Sequence, residues 1–113
     1  AAALARSDIL VIAGGASVGD HDHAQATFAA HGFEPLFAKV AMKPGRPVWA
    51  GRAGSCWVIG LPGNPGSALV TARLLLATML ARLQGRSSGD VLAWHRLPLA
   101  APLEGAGARE TFT

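Results

Sequence analysis

Residues 8–23 read DILVIAGGASVGDHDH, and the order of characters in this stretch decides the fold. Ile9 to Ala13 is a short, unbroken apolar run, the pattern of a parallel strand covered on both faces. A loop of small residues follows. From Asp20 to His31 the chain has no breaker, carries Asp20 and Asp22 near its start and ends at Gly32, which predicts a helix with an acidic first turn and a glycine end. Strand, loop and helix make half of a βαβ unit, so the fold class expected is α/β.

The same stretch contains a chemical conflict. Gly14, Gly15 and Gly19 let backbone amides approach a ligand closely, Ser17 adds a hydroxyl, and the following helix offers its positive end; all of this suits a phosphate. Asp20 and Asp22 would repel it. A divalent ion resolves the conflict, because Mg²⁺ takes one or two carboxylates together with phosphate oxygens. The alternative is that both aspartates only stabilise the helix start. The loop is neither a Walker A loop, since Asp20 stands where Lys should follow the last glycine, nor a G-x-G-x-x-G fingerprint. His21 and His23 lie two apart, a spacing that diverges on a helix, so they do not form a zinc pair, and His31 marks the helix end.

Outward from this unit, FEPLFAKV (33–40) predicts a second strand, with Pro35 at its start or on an edge. Val48 to Ala50 and Cys56 to Leu61 bracket GRAGS, which reads as the turn of a hairpin. After Leu61, Asn64 is placed to cap a helix, Pro65 to open it, and apolar residues carry it to about Gln84 before Gly85. Polar RSSGD then opens a linker over 86–95, and 96–113 reads as the incomplete start of a β-type domain. The α/β unit occupies 1–85.

Half of the 113 residues are hydrophobic and 15% are charged, a globular composition. The formal charge is +3, but the arginines are scattered rather than striped, which argues against nucleic acid. Cys56 is the single cysteine, so no internal disulfide exists, and its apolar surroundings suggest a buried thiol in the cytoplasm. The stretch around 68–83 contains Arg73 and Arg82, which favours a buried helix over a membrane span of about 20 uncharged residues. The opening AAALARSD has no targeting pattern and reads as the end of a helix whose beginning is missing, a sign of a fragment.

Ligands of open α/β sheets collect beyond the carboxyl ends of the strands. Loops 14–22, 39–47 and 61–67 each follow a predicted strand, and if those strands run parallel the loops share one rim. The middle loop, KVAMKPGRP, holds Lys39, Lys43 and Arg46 on a segment stiffened by Pro44 and Pro47, a rigid cationic site for oxyanions. The last, LPGNPGSA, offers a helix N-terminus with Asn64 and Ser67.

GGASVGDHD, KVAMKPGRP and GLPGNPGSALV, in this order and spacing, resemble the molybdopterin molybdenumtransferases, the MoeA proteins of bacteria and the E domain of gephyrin. The resemblance covers about residues 5–85; GARETFT resembles the opening of that family's C-terminal β domain. It implies a three-layer α/β/α, MogA-like, Rossmann-like sheet. It also implies a reaction in which molybdate is inserted into adenylylated molybdopterin and AMP is released with help from Mg²⁺, in a cytoplasmic homodimer. On matching positions, Asp22 would assist the metal, Lys39 and Lys43 would surround molybdate and phosphate, and Gly14, Gly15, Ser17, Gly19, Pro62, Gly63, Asn64 and Ser67 would line the pterin-nucleotide pocket. Neither a membrane nor a nucleic acid is an implied partner.

The chain departs from the family at His23, where an aromatic residue is frequent, and at Gly66, where Val is common. It also lacks the family's T-G-D-E-type loop and its N-terminal lobed region. The expectation is therefore an internal slice holding about half a site and inactive alone. Two other functions remain open at this level: a non-catalytic pterin or nucleotide-phosphate binding module, and a molybdopterin adenylyltransferase of the same fold.

Overall fold

Cys56–Leu61 (β5) lies in the middle of the molecule because its six residues, CWVIGL, are apolar or small on both faces and can be covered from both sides. The computed structural model describes residues 2–13, 20–102 and 107–112, and only the backbone of Asp20, His21, Asp22, Ala24 and Gln25. Ile9–Ala13 (β1) pairs parallel with β5, from Ile9 opposite Trp57 to Ala13 opposite Leu61. On its other side β5 pairs antiparallel with Trp49–Ala53 (β4), which in turn pairs antiparallel with Phe33–Ala38 (β2). The sheet order is thus β1-β5-β4-β2.

The hairpin is tighter than expected. GRAGS does not form the turn as a whole: Gly51, Arg52 and Ala53 belong to β4, and only Gly54 and Ser55 separate it from β5. Gly51 is in the strand because the Phe33 ring and the Glu34 carbonyl occupy the place of a side chain there. Phe33, partly buried, sits between Phe28 and Trp49, with centroids 5.9 and 6.1 Å away, and packs against a core that also holds Leu4, Cys56 and Val58. Pro35 lies on an edge strand, as expected, next to a register shift between Pro35 and Phe37.

Three helices, the first a single turn, cover the sheet. Ala2–Ala5 (α1) buries Leu4, and Asp20–Ala29 (α2) packs Phe28 into the core on one face. On the other face lies Pro65–Leu83 (α3), whose Ala68, Ala72, Leu75, Leu76 and Met79 pack on Val48, Ala50, Ile59 and Leu61. Its middle turn, Ala72–Leu76, is a π-helical segment between two α-helical halves, a feature the periodicity does not foretell.

Two burial expectations need correction. β1 is not covered on both faces; it is an edge strand among the described residues, and Val11 is 42% exposed. α3 is long and apolar enough to cross a membrane by length and composition, but it is not a fully buried helix, because it offers one stripe to the sheet and leaves Leu69, Leu80 and Leu83 exposed. A single sheet face covers only about one third of a helix circumference.

Cys56 is completely buried. Its thiol donates to the Trp57 carbonyl at 3.3 Å, and burial pushes its pKa up, with the charge of Asp8 adding and a backbone hydrogen bond at Leu10 opposing.

After Gly85 a capping box between Ser87 and Asp90 starts a one-turn 3₁₀ helix, Ser88–Asp90. The chain then runs on without regular structure through 92–99 and returns as Glu110–Thr111 (β6), which pairs parallel with Met42–Lys43 (β3). The Trp94 and Phe112 rings meet on the way, centroids 6.3 Å apart.

Replacing Gly51 by Ala forces a methyl group into the Phe33 ring and the Glu34 carbonyl. We expect a loss of about 1–3 kcal/mol, the range of an overpacked core, read as a lower urea midpoint at unchanged m-value.

Candidate functional site

The strand pairing settles where the three loops emerge. β1 runs parallel to β5; β4 opposes both β5 and β2, so β1, β2 and β5 all run the same way. Their last residues fall within one residue of the same row of the sheet: Ala13 opposite Leu61, and in the adjacent row Gly60 opposite Trp49 opposite Ala38. Ala13, Ala38 and Leu61 therefore leave the sheet at one rim, from which loops 39–48 and 62–64 emerge; residues 14–19, which follow Ala13, lie outside the described residues. From β1 to β2 that rim spans three interstrand steps, about 14 Å at ~4.8 Å each.

Lys39 is the first residue beyond β2, and among the described residues it alone combines a side chain with a positive φ, 80°. Its amide donates to the Val48 carbonyl at 3.0 Å. The loop is then closed by Val40 N–H to the Arg46 carbonyl at 3.0 Å, Met42 N–H to the Val40 carbonyl at 2.8 Å and Val48 N–H to the Gly45 carbonyl at 3.0 Å. The Lys43–Pro44 bond is cis. Lys39, Lys43 and Arg46 are exposed, so the loop displays three cations on a backbone that is fixed by its own hydrogen bonds.

Gly45 seats this loop against α3. It is buried, has φ 110°, and any Cβ there would collide with the methyl group of Thr71 and crowd Met42. Thr71 is itself fully buried, and its hydroxyl donates to the Ser67 carbonyl at 2.8 Å. The second loop is thereby packed on α3, the helix that the third loop opens, through Gly45, Met42 and Thr71. Neither Gly45 nor Thr71 is marked as important by the sequence, since a threonine in an apolar helix and a glycine between prolines each have ordinary uses.

In the third loop Pro62 is buried and Gly63 and Asn64 are exposed. Asn64 is the helix cap, its Oδ1 accepting from the Ser67 amide at 3.1 Å and from the Ser67 hydroxyl at 3.4 Å. Asn64 and Ser67 are thus engaged with each other at the rim.

Asp22 is the third residue of α2, whose chain comes down from the rim where β1 ends and delivers β2 at the opposite end of the sheet. Its backbone stands in the helix turn nearest the rim. Its side chain, and Gly14, Gly15, Ser17 and Gly19 altogether, lie outside the described residues. His23 and His31 are exposed, and His31 follows the last turn of α2. Among the described residues no group of three or more His, Cys, Asp or Glu is placed to hold a metal.

An apolar cavity of about 360 Å³ lies elsewhere, between β2 and the second half of α3, lined by Phe37, Ala50, Trp57, Leu75 and Met79. It contains none of the loop cations and does not belong to the rim.

A family profile described as a probable molybdopterin binding domain matches residues 1–82. The chain belongs to the molybdopterin-binding domain family. Relatives agree: a molybdopterin molybdenumtransferase of Haemophilus influenzae is 42% identical over 97 residues, 86% of this chain and 22% of the relative. Another from a Nostoc species is 31% identical over 113 residues, 97% of this chain and 26% of the relative. The solved structure of a molybdopterin biosynthesis MoeA protein from Pyrococcus horikosii matches 75% of this chain and 20% of its own, with a TM-score of 0.62 at 33% identity. This chain spans about a quarter or less of these proteins. The expected partial α/β architecture is thus the fold of the molybdopterin-binding domain.

The left-handed backbone at Lys39 costs stability that a glycine would not. We expect Lys39→Gly to be about 1 kcal/mol more stable than Lys39→Ala, measured by chemical denaturation. Gly45→Ala should behave oppositely, lowering the midpoint and loosening the loop from α3, visible as faster amide exchange at Val48.

Proposed function

We propose that this molybdopterin-binding domain is an internal segment of a molybdopterin molybdenumtransferase, which inserts molybdate into adenylylated molybdopterin and releases AMP. The observation that carries this reading is Lys39, held in a left-handed conformation at the rim and joined to Lys43 by a loop packed on the start of α3. A strained backbone under an exposed cation is retained when the position of the charge matters.

Molybdate and a phosphoanhydride are both oxyanions. Lys39 and Lys43 hold their oxygens and stabilise the charge that develops as the anhydride breaks, without reorganising when it does. The 14–19 loop and the α2 start take the nucleotide phosphate, and Pro62, Gly63 and Asn64 shape the pterin side. Asp22 would supply one carboxylate to Mg²⁺, a hard cation that takes oxygen ligands. Such an ion would supply Lewis-acid stabilisation of phosphate charge. No covalent nucleophile enters, and Cys56, completely buried, takes no part. The reading includes a homodimeric, cytoplasmic enzyme whose remaining acidic residues lie outside this segment, so the segment alone binds without turnover.

The test compares AMP release and molybdate incorporation by a full-length enzyme carrying this segment. Lys43→Ala should lower kcat by about 10²-fold, the cost of one oxyanion-stabilising group, and Asp22→Asn should abolish the response to added Mg²⁺. Undiminished turnover in Asp22→Asn rejects the metal role, and ligand binding with no turnover in the unmutated enzyme makes the domain a binding module.

A further inference from the structure

The bonds that close the lysine loop on itself leave the carbonyls of Ala41 and Lys43 to another element. β6 takes both: the Glu110 amide donates to Ala41 at 3.0 Å and the Phe112 amide to Lys43 at 2.8 Å. This short parallel pairing joins a segment of the chain's last residues to a loop on the far side of α3 in sequence.

Two residues of strand are too few to stay paired without help. Help comes from Phe112, whose ring lies at a 39° tilt to Trp94. Trp94 in turn follows the 3₁₀ turn that the Ser87–Asp90 capping box fixes just beyond α3. The loop is accordingly held at two places: Gly45 against Thr71 in the first half of α3, and the Lys43 carbonyl against the strand that the other end of α3 leads to. The first contact fixes the loop's depth. The second fixes the peptide that carries the Lys43 side chain, which no hydrogen bond within the loop does.

We propose that β6 is a positioning strand for the oxyanion site, the Phe112 amide holding the Lys43 peptide in the orientation from which its ammonium meets the ligand. The inference rests on the reading of Lys43 as an oxyanion-binding residue. Phe112 touches no ligand; it acts through Lys43.

The experiment uses a full-length enzyme carrying this segment, sodium molybdate as the probe, and two variants. Phe112→Pro removes the N–H that bonds Lys43, whereas Phe112→Ala keeps the N–H and removes the ring. Molybdate affinity is read from amide chemical shifts, and the order of the Lys43 amide from ¹⁵N relaxation. In Phe112→Pro we expect the Lys43 order parameter to fall and the molybdate Kd to rise about tenfold, the scale of one lost hydrogen bond, at an unchanged urea midpoint of the main sheet. Phe112→Ala should shift Kd less than Phe112→Pro does. Unchanged Lys43 order in Phe112→Pro overturns the inference, as does unchanged affinity in a variant whose Lys43 has become mobile. Failure of the unmutated chain to shift with molybdate counts instead against Lys43 as an oxyanion residue, and the Lys43 order parameter then still decides whether β6 holds that peptide.

Discussion

The antiparallel placement of β4 between β2 and β5, made by two reversals of chain direction, the 39–48 loop and the two-residue turn after β4, sets the geometry on which everything else rests. With β4 running against both of its neighbours, β1, β5 and β2 all point the same way and end within one residue of the same row. Had the chain crossed over in parallel from β2 to the next strand, a helix would have been needed and the lysine loop would not have remained a short, self-bonded connection. Because the return strand starts immediately after the loop, the Lys39 amide and the Val48 carbonyl meet directly at 3.0 Å.

The order of forces at the rim follows from this. Hydrophobic burial places the loop, through Met42, Gly45 and Thr71, and hydrogen bonds then set its shape. Charge comes last, on residues left exposed. The cations therefore stand on a backbone whose shape is set by its own hydrogen bonds and packing.

Much of this was legible in residue order. The periodicity of 9–13 and 56–61, the Asn64-Pro65 start and the Gly32 and Gly85 ends locate the principal elements within a few residues, because each rests on local sterics or capping. The extent of β4 was not, since a glycine in a strand and a glycine in a turn look alike until Phe33 is seen lying over Gly51. The half-exposed state of α3 and the edge position of β1 are tertiary facts, invisible to hydrophobicity alone. Three loops at one rim could be anticipated only on condition that the strands were parallel. The contacts that join the lysine loop to α3, and the return of β6 to Lys43, depend on residues far apart in sequence with no shared pattern.

Cys56 has a practical consequence of its own. Its sulfur is sealed between the start of β5 and the packed aromatic layer, and burial disfavours the thiolate that alkylating reagents require. Any labelling of the native chain must then wait for the sheet to open, so the rate of alkylation counts excursions of the whole β4–β5 hairpin. The molecule carries a clock for its own breathing, set in the strand that every other element leans on.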